Sequence, residues 1–243
     1  MGTLQDIKPG STIKLLLLGD SGAGKTCGSC TFPGPVYLAD FDGKAGSAAS
    51  FFKGQDDILK NVEVVNYKVS ESMPYPAKNF NLFLSSLQKN NEFPYRTIVV
   101  DSLTIFVEET LRWLIKENQH IPRPKSYVTN LTCPTDYNLL QLYLKELLGY
   151  VLNFPCNVIF TAHIAIEKDE MTGEILRIPL MPGKLAKKLP IYFEEVWRLY
   201  VNRDGKRVVQ TDPDHRFSIC RRQLNVPKEF EFKYSEIEKY INK

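Results

Sequence analysis

The 243-residue chain is short of the features that most quickly fix a protein's class. Its five cysteines, at positions 27, 30, 133, 156 and 220, are odd in number and scattered, which argues against a disulfide framework. Cys27 and Cys30 form a single Cys-x-x-C, but a structural zinc centre wants four ligands. No second Cys pair exists, and the three histidines are dispersed. On a helix the two cysteines would sit about one turn apart, so both are read as small residues packing it. No apolar stretch approaches the ~20 residues of a membrane span, and the run Leu15–Leu18 has strand length. Nothing at the N-terminus reads as a signal peptide, so a cytoplasmic protein without membrane association is expected. The formal net charge of +3 is too small to mark a nucleic-acid binder by itself. Repeats and low-complexity tracts are absent.

The charge is unevenly placed. Between Arg177 and Arg222 stand eleven Lys and Arg against five acids, a local surplus suited either to a polyanion or to an ordinary solvated face. Periodicity supplies the elements. "IKLLLLGD" (13–20) is a continuous apolar run, as for a strand covered on both faces; strands follow at 36–41, 62–69, 97–101 and 157–166. A short helix after Lys25, helices at 77–90 and 103–118, and a long one at 135–154 capped by Thr135 or Asp136 complete the order. Residues 120–134 read as a loop. Strands alternating with helices predict an α/β fold, with a mostly parallel central sheet covered by helices on both faces. In the last third, 166–178 reads as two short strands about a Thr-Gly turn. The segments "EVWRLYVN", "GKRVVQTD" and "HRFSICRR" read as an antiparallel meander extending the same sheet, and the tail ends in a short helix. One domain over 1–243 is expected, with a nucleotide-binding core at 12–166, a loop and antiparallel extension at 167–222, and a tail at 223–243.

Gly19-Asp20-Ser21-Gly22-Ala23-Gly24-Lys25-Thr26 fits G-x-x-x-x-G-K-[ST] at every fixed position, with a strand before it and a helix after. Glycines let the backbone wrap a phosphate so that successive N–H groups point inward. The octet and Cys27 are therefore the candidate ATP-binding residues, with Lys25 reaching the β- and γ-phosphates and Thr26 ligating Mg²⁺. "TIVVDS" places Asp101 at the end of an apolar strand, where it can help hold the Mg²⁺. Hydrolysis needs a group to orient or deprotonate water. The strand ending "LADFDGK" offers Asp40 and Asp42 for that task; Asp42 is preferred and Asp40 stays open. His163, closing the later strand, is placed to sense the γ-phosphate.

These residues resemble the RecA-like P-loop ATPases. "TIVVDS" is similar to the Mg²⁺-site strand of RecA-type recombinases, including the Ser after the Asp, and "LADFD" to the place of their catalytic carboxylate, usually a Glu one methylene longer than Asp42. His163 matches the position of their nucleotide-sensing switch residue. With "TAH", "PGKLAKKLP" and "YFEEVWRLYV", residues 12–222 look like the compact phage-encoded Sak-type single-strand-annealing group, AAA-type phage nucleotide-binding proteins. The resemblance implies an ATPase acting on single-stranded DNA in recombination, replication or repair, in the host cytoplasm if phage-encoded. It implies a homo-oligomer, ring or filament, with ATP near the subunit interface, and a single-strand-binding protein as partner. DNA-contacting loops in the family place one such loop at 165–184. Lys184, Lys187, Lys188, Arg221 and Arg222 are then candidates for DNA phosphates or a neighbouring subunit's ATP, two roles left unseparated. A P-loop kinase for a nucleotide or small acceptor, and a non-catalytic nucleotide switch or scaffold, are the alternatives.

Overall fold

The computed structural model describes residues 12–87, 93–119, 132–168, 173, 175–214, 217 and 219–241. Strand β1 (Lys14–Gly19) is buried along its whole length, which is why its sequence is a leucine run and not an alternating pattern. The strand still alternates in direction: Leu16 and Leu18 enter one core cluster and Leu15 and Leu17 the other, as a two-residue side-chain period requires.

Around β1 an eight-stranded sheet assembles from β2 (Val36–Asp40), β3 (Val62–Asn66), β4 (Thr97–Asp101), β5 (Asn157–Ala162), β8 (Glu195–Val201), β9 (Arg207–Gln210) and β10 (Glu229–Glu231). Its order is β10-β9-β8-β1-β5-β4-β2-β3. Pairing is parallel from β8 to β3 and antiparallel at β8–β9 and β9–β10. Helices α4 (Pro76–Leu87), α5 (Leu103–Glu117) and α6 (Pro134–Val151) bury one face of the sheet; α1 (Lys25–Ser29), α2 (Ala45–Phe51), α3 (Asp56–Asn61) and α8 (Tyr234–Ile241) cover the other. This is the expected α/β class, a mostly parallel sheet between helices with antiparallel C-terminal strands.

Several expectations change in detail. The strand expected at 157–166 ends at Ala162; β6 (Ile164–Lys168) turns away and pairs antiparallel with β7 (Ile175–Pro179) as a separate two-stranded sheet. β8 and β9 pair antiparallel as expected, and β8 also lies parallel to β1, which joins this extension to the main sheet. Of "HRFSICRR", residues 215, 216 and 218 lie outside the described residues, and the described remainder makes one bridge, Val196 to Arg221. β3 stops at Asn66, and β10 is a strand within the tail. α2 and α3 occupy a stretch for which no element was expected. The long helix starts on Cys133, whose backbone N–H donates to Asp136 Oδ2 at 2.8 Å, so Asp136 closes the cap from the third helical position. Residues 88–90 of the helix expected at 77–90, and 120–131 of the expected loop, lie outside the described residues.

Candidate functional site

The octet lies at the C-terminal edge of β1. Gly22 and Gly24 hold φ of 78° and 101°, the left-handed region that glycine alone enters freely. Gly19 serves differently: a Cβ there would stand 2.7 Å from the Leu199 carbonyl oxygen, so β8 can approach only a glycine. Lys25 is buried, and its ammonium donates to the carbonyls of Gly19 (2.8 Å) and Asp20 (3.0 Å). Burial lowers its pKa, while Asp101 and Asp42 oppose that fall. Because α1 is only five residues long, the loop amides and Lys25 carry most of the cradle's positive potential.

β5 lies between β1 and β4, and this insertion brings its polar end into the site. Thr161 Oγ1 donates to Asp101 Oδ1 and Thr26 Oγ1 to Asp101 Oδ2, each at 2.5 Å. Burial raises the Asp101 pKa; the two hydroxyls and Lys25 pull it down, and the charge of Asp42 pushes it further up. The Thr26 hydroxyl and the Asp101 carboxylate are hard oxygen donors side by side, a set that suits Mg²⁺.

Asp40 and Asp42 separate cleanly. Asp40 is buried and accepts from the backbone amides of Gly43 (2.6 Å), Lys44 (3.1 Å) and Ala45 (2.9 Å), so its carboxylate holds the turn into α2. Asp42 faces the cradle. Ser102 Oγ donates to its Oδ1 at 2.6 Å, His163 Nε2 stands 3.1 Å from its Oδ2, and Lys44 Nζ is 3.4 Å away. Burial alone would raise the Asp42 pKa, but the hydrogen bonds from His163 and Ser102 and the charges of His163 and Lys44 hold it well below the usual carboxylate range. His163 is itself fixed by its backbone N–H, which donates to Thr104 Oγ1 at 3.1 Å.

Lys25, Thr26, Cys27, Asp42, Asp101 and His163 thus line one cavity of about 220 Å³, together with Ser21, Gly22 and Gly24. Its wall also contains Phe51 and Arg207, which the motifs did not indicate. The Arg207 side chain lies directly on the loop: a Cβ on Gly24 would meet its Cδ at 2.5 Å. Its only signal in the sequence is membership of the basic window. Cys30 is buried behind the cradle, whereas Cys27 is half-buried at the cavity wall, so the two cysteines differ in role. Among the described residues no three His, Cys, Asp or Glu gather as a metal-binding cluster.

The basic candidates stand elsewhere. Lys184, Lys187 and Lys188 cluster on α7 (Leu185–Lys188) and its first flanking residue, and Lys187 Nζ is 3.5 Å from Glu167 on β6. Arg221 donates to the Pro190 and Phe193 carbonyls, and Arg222 pairs with Asp212 at 2.7 Å and donates to the Val226 carbonyl. Both arginines brace their own backbone.

Residues 11–218 match the family described as "AAA domain". The fold is similar to a crystal structure of the KaiC-like protein PH0186 from the hyperthermophilic archaeon Pyrococcus horikoshii OT3, with TM-score 0.44 and 14% identity over 83% of this chain and 78% of that one. No curated protein matches the chain. No helix among the described residues is long and apolar enough to cross a membrane.

Proposed function

This chain belongs to the AAA domain family, and on that premise we propose that it is a Mg²⁺-dependent ATPase acting on single-stranded DNA in annealing recombination, replication or repair. Within the family we assign it to the phage Sak-type group. The observation that carries the ATPase reading is the convergence of Lys25, Thr26, Asp42, Asp101 and His163, from four separate segments, on one cavity.

The loop amides and Lys25 receive the phosphates, and Lys25 exchanges its two loop carbonyls for phosphate oxygens as it does so. Thr26 and Asp101 would hold the Mg²⁺, which neutralises phosphate charge. Asp42 accepts a hydrogen bond from the attacking water and takes its proton as the water oxygen bonds to the γ-phosphorus. The bond from that phosphorus to the bridging oxygen breaks in the same step, ahead of full bonding to the water oxygen, leaving ADP and phosphate. A carboxylate with so low a pKa is a weak base, so its main contribution is to aim the water, as a loose phosphoryl transition state requires. Ser102 and His163 are positioning residues that fix the Asp42 carboxylate.

The single-stranded DNA reading is supported by the hairpin β6–β7, which begins one residue after His163, and by the α7 lysines beside it. Those lysines are the stronger phosphate contacts; Arg221 and Arg222 are occupied by their own chain. Assembly as a ring or filament of identical subunits, and pairing with a single-strand-binding protein, belong to the same reading.

The test is ATP turnover by the purified protein with and without single-stranded DNA at low salt, where phosphate contacts are strongest. Mg²⁺-dependent hydrolysis that DNA accelerates is expected, together with weaker DNA binding after Lys184, Lys187 and Lys188 are changed to Glu. Turnover that DNA leaves unchanged, with no DNA binding at low salt, removes the DNA role. Phosphate transferred to an acceptor instead of released would make the protein a kinase.

A further inference from the structure

Beside the phosphate cavity lies a larger one of about 640 Å³, and the two share Gly24, Cys27, Phe51 and Arg207 as a common wall. Its remaining lining is mixed. Phe52, Ile58, Leu199 and Phe232 supply apolar surface, Thr31 and Gln55 hydrogen-bonding groups, and Lys206, Glu231 and Lys233 charge at its rim. Volume and lining are those of a small-molecule site. Cys27, the residue directly after the octet, lines both cavities, so the larger space adjoins the C-terminal end of the motif.

The shared wall is unusual in its own right. Phe51 is 54% exposed although its neighbour Phe52 is 4% exposed; Phe52 serves the core, and Phe51 stands at the mouth. The Arg207 guanidinium lies 5.6 Å from the Phe51 ring centroid, a cation–π contact. Two planar groups, one aromatic and one cationic, therefore face each other where the two cavities join.

We propose that the larger cavity receives the nucleoside end of a purine nucleotide, and that the base stacks between the Phe51 ring and the Arg207 guanidinium. This rests on the nucleotide reading above and adds the identity of the base-holding residues. Both faces of a purine are then covered, Phe51 and Arg207 parting to admit it. Arg207 is the planar cationic half of the clamp, laid against one face of the base.

The experiment measures, by titration calorimetry on the full chain with Mg²⁺, the affinities for ATP and for inorganic tripolyphosphate. The variants are Phe51→Ala, Phe51→Trp, Arg207→Ala and Arg207→Lys. Phe51→Ala and Arg207→Ala are expected to weaken ATP about ten-fold each, the order of one lost stacking contact, and to leave tripolyphosphate unchanged. Phe51→Trp should retain ATP affinity, while Arg207→Lys should behave as Arg207→Ala, because lysine keeps the charge but not the plane. Equal loss for both ligands in Arg207→Ala would make it a phosphate contact and overturn the inference. Unchanged ATP affinity in both alanine variants would also overturn it. Wild-type protein that binds neither ligand would overturn the nucleotide reading itself, so the two failures are distinguishable. Both side chains are exposed at the cavity mouth, and an unchanged melting temperature of each variant verifies its fold.

Discussion

The Nε2 atom of His163 stands 3.1 Å from Oδ2 of Asp42, across 121 residues of sequence. The strand that ends at Ala162 and the turn that follows β2 meet at this contact. It also selects between two acids: Asp40 is spent on three backbone amides, and Asp42 is left to face the cradle.

Replacing Asp42 with Asn should lower ATP turnover by about 100- to 10,000-fold, the usual contribution of a positioned acid or base. Nucleotide affinity should change little, because Lys25 and the loop amides remain. Turnover and equilibrium binding measured on the same preparation check both halves. If Asp40→Asn instead abolishes turnover in a protein that still folds, the assignment moves to Asp40.

The pH profile should report the His163–Asp42 contact. In the wild type Asp42 stays ionised well below the ordinary carboxylate range, so turnover has no acid limb from this group at mildly acid pH. His163→Ala removes the hydrogen bond and the neighbouring charge that lower the Asp42 pKa, while burial, which raises it, persists. The acid limb of turnover should therefore move to higher pH in His163→Ala, and in the same direction in Ser102→Ala. A limb that stays in place in both variants contradicts the contact's electrostatic role.

Asp101 carries the opposite sign. Its folded-state pKa is raised, so the acid form is favoured by folding. The stability of the metal-free protein falls as pH climbs from the unfolded value near 3.9 through the folded one. Asp101→Asn should raise the melting temperature in chelator by a few degrees, at about 2–4 °C per kcal/mol for a chain of this size. The gap between variant and wild type should widen from pH 4 upward. The same variant should lose Mg²⁺-dependent strengthening of nucleotide binding. A variant that melts lower than wild type at pH 8 contradicts the sign.

Gly28 explains the middle of the Cys-x-x-C. A Cβ there would lie 2.0 Å from Phe232 Cδ1, so the tail's phenylalanine ring occupies the space a side chain on α1 would need. Gly28→Ala should cost about 1–3 kcal/mol in urea unfolding through overpacking. Adding it to Phe232→Ala should cost little more than Phe232→Ala alone, a coupling that a double-mutant cycle measures. Simple additivity would show that the contact is not what constrains residue 28.

The readable parts of the sequence were those whose physics is local. A leucine run buried on both faces, an octet defined by backbone dihedrals, and an acid closing an apolar strand all announce themselves within a dozen residues. The choice between Asp40 and Asp42 was not local: both flank a turn, and the decision rests on three amides and on a histidine from another strand. α2 and α3 left no period because short helices on a partly exposed face need none. Arg207 lies 183 positions from the glycine it covers and is one of eleven basic residues in its window. Arg221 and Arg222 looked like free cations because backbone carbonyl partners leave no mark in a sequence.

His163 is the single residue between β5 and β6, and its carbonyl accepts from the Leu180 N–H just past the end of β7. Both roots of the hairpin are therefore tied to one residue whose ring touches Asp42. Each hairpin strand is five residues long, an arm of roughly 16 Å at the usual rise per residue. Mechanically this is a lever with its fulcrum at the cavity wall: a small rotation at residue 163 would carry the far ends of the two strands, Lys168 and Ile175, through a much larger arc.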